Sequence, residues 1–263
     1  MSNHANTPSV LPEYENHFAL RAKAKGCSTT LLGNVCLVTF FVNEEMSAWH
    51  SQEIKCCKDA LKEIQTILQD QSQLSQNRFQ VSYALDVVSV QLNFDRDAHN
   101  KLETNVLQQY GDYDNSAAYQ KHYEEKFQKD EAPVVFVLNR DFRSFAFSSE
   151  KKTPSESETS SNEASFVSFC DNAKSFVRTY IHELLHQFGA IDLYLPEKVK
   201  EVADKHLPNS IMNGGDQIDP LTRYLIGWDE VPQAAAIQFL EETKDITADD
   251  IKDAYEKDAD NDW

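Results

Sequence analysis

Residues 178–196 read RTYIHELLHQFGAIDLYLP. At 100° per residue, Val177, Tyr180, Ile181, Leu184, Leu185 and Phe188 gather on one side of a helical wheel. His182, Glu183 and His186 fall on roughly the opposite side. Such a helix buries its aliphatic stripe and turns two imidazoles and a carboxylate the other way. A histidine that only filled a core would sit within the stripe, and neither of these does.

The spacing carries chemistry. Residues i and i+4 lie one above the other on a helix, so His182 and His186 can reach one ion. Zinc–nitrogen bonds of about 2.0–2.1 Å demand convergent ligands, and a helix supplies them without loop entropy. Glu183 flanks the same face. It stands too far around to be an obvious ligand, yet near enough to take a proton from a zinc-bound water, whose pKa falls from about 15.7 toward about 7. A catalytic zinc needs a third protein ligand and one open position. Gly189 stands where the helix would end, and glycine there takes the left-handed conformation that turns a chain. Asp192, three residues on, can then offer a carboxylate oxygen to the same metal. Shuffling this composition produces the whole pattern with a probability of about 0.0002, so chance is a poor explanation.

The rest of the chain bounds the setting. It has 263 residues, 41% of them apolar, enough to bury a sizeable core. A net charge of −18 with no basic stripe argues against nucleic acid and against anionic membrane surfaces. The five cysteines, Cys27, Cys36, Cys56, Cys57 and Cys170, are odd in number and form no CxxC pair. Reduced thiols in a cytoplasmic protein fit them better than a disulfide scaffold. The N-terminus lacks a charged segment followed by an apolar one, and the apolar run 31–42 is too short to span a bilayer, so cytoplasm is expected.

Along the chain, residues 1–30 read as a flexible lead-in. Residues 34–43 suit a central strand, and 47–74 a helix with Ser47 as N-cap. Residues 78–94 alternate like one or two strands, 115–130 read as a second helix, and 133–139 as a short strand. The Ser- and Glu-rich stretch 148–164 reads as a mobile surface insertion. SFVSFC (165–170) resumes as a strand leading into the histidine helix. A polar helix (196–206), a tight turn NSIMNGG (209–215), a helix (219–228), and one or two helices with an acidic tail complete the chain. The expected fold class is α+β (α/β-like), a mixed twisted sheet with helices packed against it.

HELLHQFGAID resembles H-E-x-x-H-x-x-G-x-x-[HD], the zinc-binding consensus of the metzincin clan of metallopeptidases. The aspartate at its last position resembles the snapalysin branch, in which that residue ligates the metal. SIM, at 210–212, is similar to the clan's methionine-containing turn. The match covers about a fifth of the chain, roughly 176–228.

The resemblance implies a metzincin-type fold over 31–263, a single catalytic domain. Its N-terminal subdomain would span about 31–189 and a mainly helical C-terminal subdomain about 190–263. It implies one Zn2+ held by His182, His186 and Asp192, Glu183 as general base, and Met212 as packing beneath the metal. SFVSFC would be the edge strand that pairs with extended substrate. The activity implied is a zinc-dependent endopeptidase acting on protein or peptide substrates through a zinc-activated water. The alternative is a zinc-containing binding or regulatory protein of the same fold with little turnover, for which Glu183 would be superfluous.

Where some metzincins carry a tyrosine two residues after the Met, this chain has Gly214. Tyr194 and Tyr224 are then candidates for stabilising an oxyanion. Two weaker metal arrangements use Glu197 or Glu201 as third ligand, or Cys170 as a thiolate cap.

Overall fold

The computed structural model describes residues 17–22, 30–45, 47–73, 78–95, 99–147, 163–169 and 173–259. Most of the expected lead-in, Cys27, Cys170, residues 148–162 of the expected insertion and the last four residues lie outside them. In chain order the elements are α1 (Phe18–Ala22), β1 (Gly33–Asn43), α2 (Ser51–Ser72), β2 (Phe79–Ser89), α3 (His99–Leu107), α4 (Ser116–Phe127), β3 (Val134–Leu138), β4 (Phe145–Phe147) and β5 (Ala164–Ser168). There follow α5 (Ala173–Gln187), α6 (Glu197–His206), a 3₁₀ turn (Ile211–Asn213), α7 (Pro220–Leu225), α8 (Ala234–Glu242) and α9 (Ala248–Ala259).

The strands form one mixed sheet in the order β2-β1-β3-β5-β4. All pairings are parallel except β4 with β5. Parallel neighbours need crossover connections, and α2, then α3 and α4, supply the first two. Side chains of the central strands divide by parity, as the two-residue repeat of a strand requires. Val35, Leu37 and Phe41 of β1, Val135 and Val137 of β3 and Val167 of β5 face the cluster that contains α2 and α5. Val38, Phe40, Val42, Val134, Phe136, Leu138 and Phe166 face the opposite cluster, under α3 and α4. Near-continuous apolar runs are therefore what both faces demand.

Several expectations shift. Ser47 does not cap α2; its hydroxyl donates to the Asn139 carbonyl, and His50 stands at the N-cap. The reason lies at Trp49, whose ring packs on Phe41 and whose indole donates to the Val42 carbonyl (3.0 Å), keeping the chain extended until residue 50. SFVSFC is not an edge: β5 lies between β3 and β4, with all five of its residues buried. The edge on that side is the three-residue antiparallel β4. The α3 helix had no clear signature, because only Leu102, Val106 and Leu107 mark its apolar side.

The apolar cluster on the α5 side continues from Leu31 and Phe79 through Trp228 to Phe239 and Ile246, so the helices after α5 share a core with the sheet. Trp228 donates to the Leu31 carbonyl (2.7 Å) and packs on Phe79. No helix among the described residues is long and apolar enough to cross a membrane.

Within the expected lead-in, His17 is buried and anchors α1 to the end of α8. Its Nδ1 accepts from the Ala19 N–H (3.1 Å), which leaves Nε2 as the donor to Thr243 Oγ1 (3.0 Å). A second proton on the ring would face the Ala19 N–H. Burial lowers the His17 pKa to about 4. The unfolded chain therefore binds more protons between pH 4 and 6.5. The stability from neutral His17, on the order of 2–3 kcal/mol, is complete above pH 6.5 and lost as pH falls toward 4. Urea midpoints at neutral and acid pH should show this; His17→Gln should lose less on acidification than the wild type.

Candidate metal centre

The site is built on α5. Its apolar face, including Phe176, Tyr180, Ile181, Leu184 and Leu185, is buried, and Tyr180 Oη shares a hydrogen bond with Thr39 of β1 (2.8 Å). That anchoring leaves His182 and His186 on the far side, their rings nearly perpendicular with centroids 4.8 Å apart. The helix ends in a Schellman cap. The Ala190 N–H bonds the Leu185 carbonyl, the Gly189 N–H bonds the His186 carbonyl, and Gly189 adopts φ 88°. The turn brings Asp192 back beneath both histidines.

Three atoms converge. His182 Nε2 lies 2.9 Å from Asp192 Oδ1, His186 Nε2 lies 3.2 Å from it, and the two Nε2 atoms are 3.1 Å apart. Four ligands at about 2.05 Å in a tetrahedron stand about 3.3 Å from one another. The triangle is therefore close to three corners of a zinc site, and among the described residues this is the one cluster of its kind.

Tautomers sharpen the point. His182 Nδ1 lies 3.0 Å from the Ile211 carbonyl and His186 Nδ1 lies 2.9 Å from the Ala190 carbonyl. A carbonyl only accepts, so each Nδ1 carries a proton and each neutral ring presents a lone pair at Nε2. Three lone pairs then meet, and buried Asp192 Oδ1 has no donor despite its short contacts. A cation resolves this; without one, a proton must. Burial disfavours a charged His186, but the Asp192 carboxylate outweighs it and raises that ring to about 9. Burial likewise opposes the Asp192 charge, and the two imidazoles outweigh it, holding the acid well below the usual range. The residues present fit zinc.

Residues 210–215 hold these side chains in place. The Ile211 carbonyl orients His182, and the Met212 carbonyl accepts from the N–H of Leu193, next to Asp192 (2.9 Å). Met212 itself is fully buried. Ser210 caps the turn and donates to Asp219, which caps α7. Gly214 takes φ 79°, and a Cβ on Gly215 would lie 2.1 Å from the Asn209 carbonyl oxygen, so both glycines are needed.

Glu183 lies beside the histidines, 6% exposed, with no hydrogen bond to its carboxylate among the described residues. Burial raises its pKa. With His182 it lines a cleft of ≈ 340 Å³ bounded by residues 142–144 ahead of β4, Ser168, the outer face of α5, Tyr194 and the 211–214 turn. Tyr194 is in this cleft, its ring against that of His182 (6.3 Å), and its hydroxyl accepts from Arg143 (3.2 Å). Tyr224 is not in the cleft; it packs in the core on α7. Glu197 and Glu201 are exposed on α6 and do not join the cluster.

One participant escaped sequence reasoning. Tyr255 of α9 donates its hydroxyl to Asp192 Oδ2 at 2.6 Å. Burial, then the neighbouring carboxylate, pushes its pKa upward, so it remains a donor. Asp258, one turn on, binds Arg143 (2.6 Å), which ties α9 to the cleft rim. No periodicity links residues 63 apart, and no motif flags a tyrosine in an acidic helix.

The chain matches no protein-family model and no curated protein. Its geometry must carry the functional argument. An outer hydrogen bond that orients a ligand is worth about 10–100-fold in metal affinity. Tyr255→Phe should therefore weaken zinc by that factor in a chelator competition, whereas His186→Ala should abolish stoichiometric binding.

Proposed function

We propose that this chain is a zinc-dependent endopeptidase. The observation that carries the reading is the convergence of the His182, His186 and Asp192 lone pairs beside a buried Glu183 whose carboxylate has no hydrogen bond among the described residues, at the edge of a cleft. A purely structural zinc site is closed by four protein ligands; here three converge. The reading agrees with the resemblance of residues 182–192 to the metzincin pattern, and the mixed sheet with helices is compatible with that fold.

Zinc, when bound there, supplies a water acidic enough to attack near neutral pH and a Lewis acid that polarises the scissile carbonyl. The chain's own residues do the rest. Glu183 Oε takes the proton of the attacking water and passes it to the departing amine. Its burial, with no hydrogen bond to it among the described residues, keeps the carboxylate available for both transfers. His182 and His186 are held as neutral Nδ1–H tautomers by the Ile211 and Ala190 carbonyls. Tyr194 lines the cleft wall beside His182, and in this reading its hydroxyl stabilises the developing oxyanion.

Glu183→Gln removes the base and keeps the shape. Loaded with zinc, it should retain one ion per chain and lose at least a hundredfold in peptide hydrolysis. Turnover retained by this variant contradicts the mechanism. Wild-type protein that holds zinc and cuts no peptide supports instead a binding or regulatory role.

A further inference from the structure

The cleft has a charge pattern that peptide hydrolysis alone does not require. The chain carries 43 acidic residues against 25 Lys and Arg. Among the described residues lining the cleft the single carboxylate is Glu183, while two guanidinium groups, Arg143 and Arg178, line it. Arg143 shows which group such a position takes, since its Nη1 donates to the Asp258 carboxylate at 2.6 Å. Arg178 lies one turn ahead of His182 on the same face of α5. Its Nη1 donates to the Gly214 carbonyl (2.9 Å), and it has no carboxylate partner among the described residues.

Distance and chemistry make Arg178 more than a clamp on that turn. The four residues from Arg178 to His182 rise about 6 Å along the axis, close to the span of two residues of extended peptide at about 3.3 Å each. A guanidinium offers five N–H donors in a planar fork, so one carbonyl contact leaves an edge for a bidentate carboxylate. An acidic molecule repels acidic peptides at long range. The exposed Arg178 at the cleft, which unlike Arg143 has no carboxylate partner among the described residues, is then what would make such a peptide a preferred ligand rather than an excluded one.

We propose that the cleft selects a substrate carrying a carboxylate within about two residues of the bond to be cut, and that Arg178 reads it. The proposal rests on the hydrolytic reading of the same site. The carboxylate can be an Asp or Glu side chain, as in cleavage within a chain, or the α-carboxylate of a chain end, in which case the cut falls near the C-terminus rather than within the chain.

Zinc-loaded full-length protein tests it with fluorescent peptides in matched pairs, Glu against Gln near the centre and free against amidated C-terminus. Binding is read by anisotropy on Glu183→Gln, and cleavage on the wild type. In one of the two pairs the charged peptide should bind at least about tenfold more tightly than its neutral partner, as a charged hydrogen bond implies. The pair that discriminates identifies the source of the carboxylate. Adding Arg178→Gln should bring the ratio near one, and Arg178→Glu should favour a Lys peptide over the Gln peptide, with zinc content checked in each. Equal binding of acidic and neutral peptides overturns the inference, as does discrimination that survives Arg178→Gln in zinc-replete protein. Acid-selective binding without any cleavage leaves the carboxylate site standing and removes the hydrolytic reading. Cleavage indifferent to charge does the reverse.

Discussion

Two hydrogen bonds, from His182 Nδ1 to the Ile211 carbonyl and from His186 Nδ1 to the Ala190 carbonyl, govern the chemistry of this molecule. Each holds a proton on the outer nitrogen, so the inner nitrogens present lone pairs to the point that Asp192 Oδ1 also approaches. Nothing among the described residues donates to that point. An arrangement with three acceptors in mutual contact is costly for a protein by itself, and a divalent cation turns the same contacts into ligation.

Both carbonyls come from segments shaped by glycine. Gly189 ends α5 so that Ala190 lies under His186 and Asp192 swings back, and Gly214 with Gly215 closes the turn that presents Ile211. The sheet enters through α5, whose buried face is pinned by apolar packing and by the Tyr180–Thr39 bond. The helices after α5 enter through α9, where Tyr255 takes the second oxygen of Asp192 and leaves the first to face the histidines. A carboxylate shared in this way donates less charge to a metal than a bare one.

Much of this centre was legible beforehand because it is local. His182, Glu183 and His186 share a helix, and Gly189 and Asp192 follow within a single turn, so periodicity and the preference of glycine for positive φ suffice. The central strands were legible for a similar reason, since burial on both faces leaves an uninterrupted apolar run. The long-range parts were not. Tyr255 meets Asp192 only because α9 folds back across the site, and Asp258 reaches Arg143 by the same route. The N-cap of α2 lies three residues later than expected because Trp49 is drawn into the core, a tertiary effect that Ser47, a good cap in isolation, could not signal. The position of β5 was misjudged because its order in the chain differs from its order in the sheet: β4 precedes it in sequence and lies outside it in space.

Zinc K-edge X-ray absorption on the purified chain tests the central claim most directly. The account predicts one zinc per molecule with only nitrogen and oxygen neighbours at about 2.0–2.2 Å and the outer-shell signature of two imidazoles. Protein that takes up no zinc, or a first shell containing sulfur at about 2.3 Å, would contradict it.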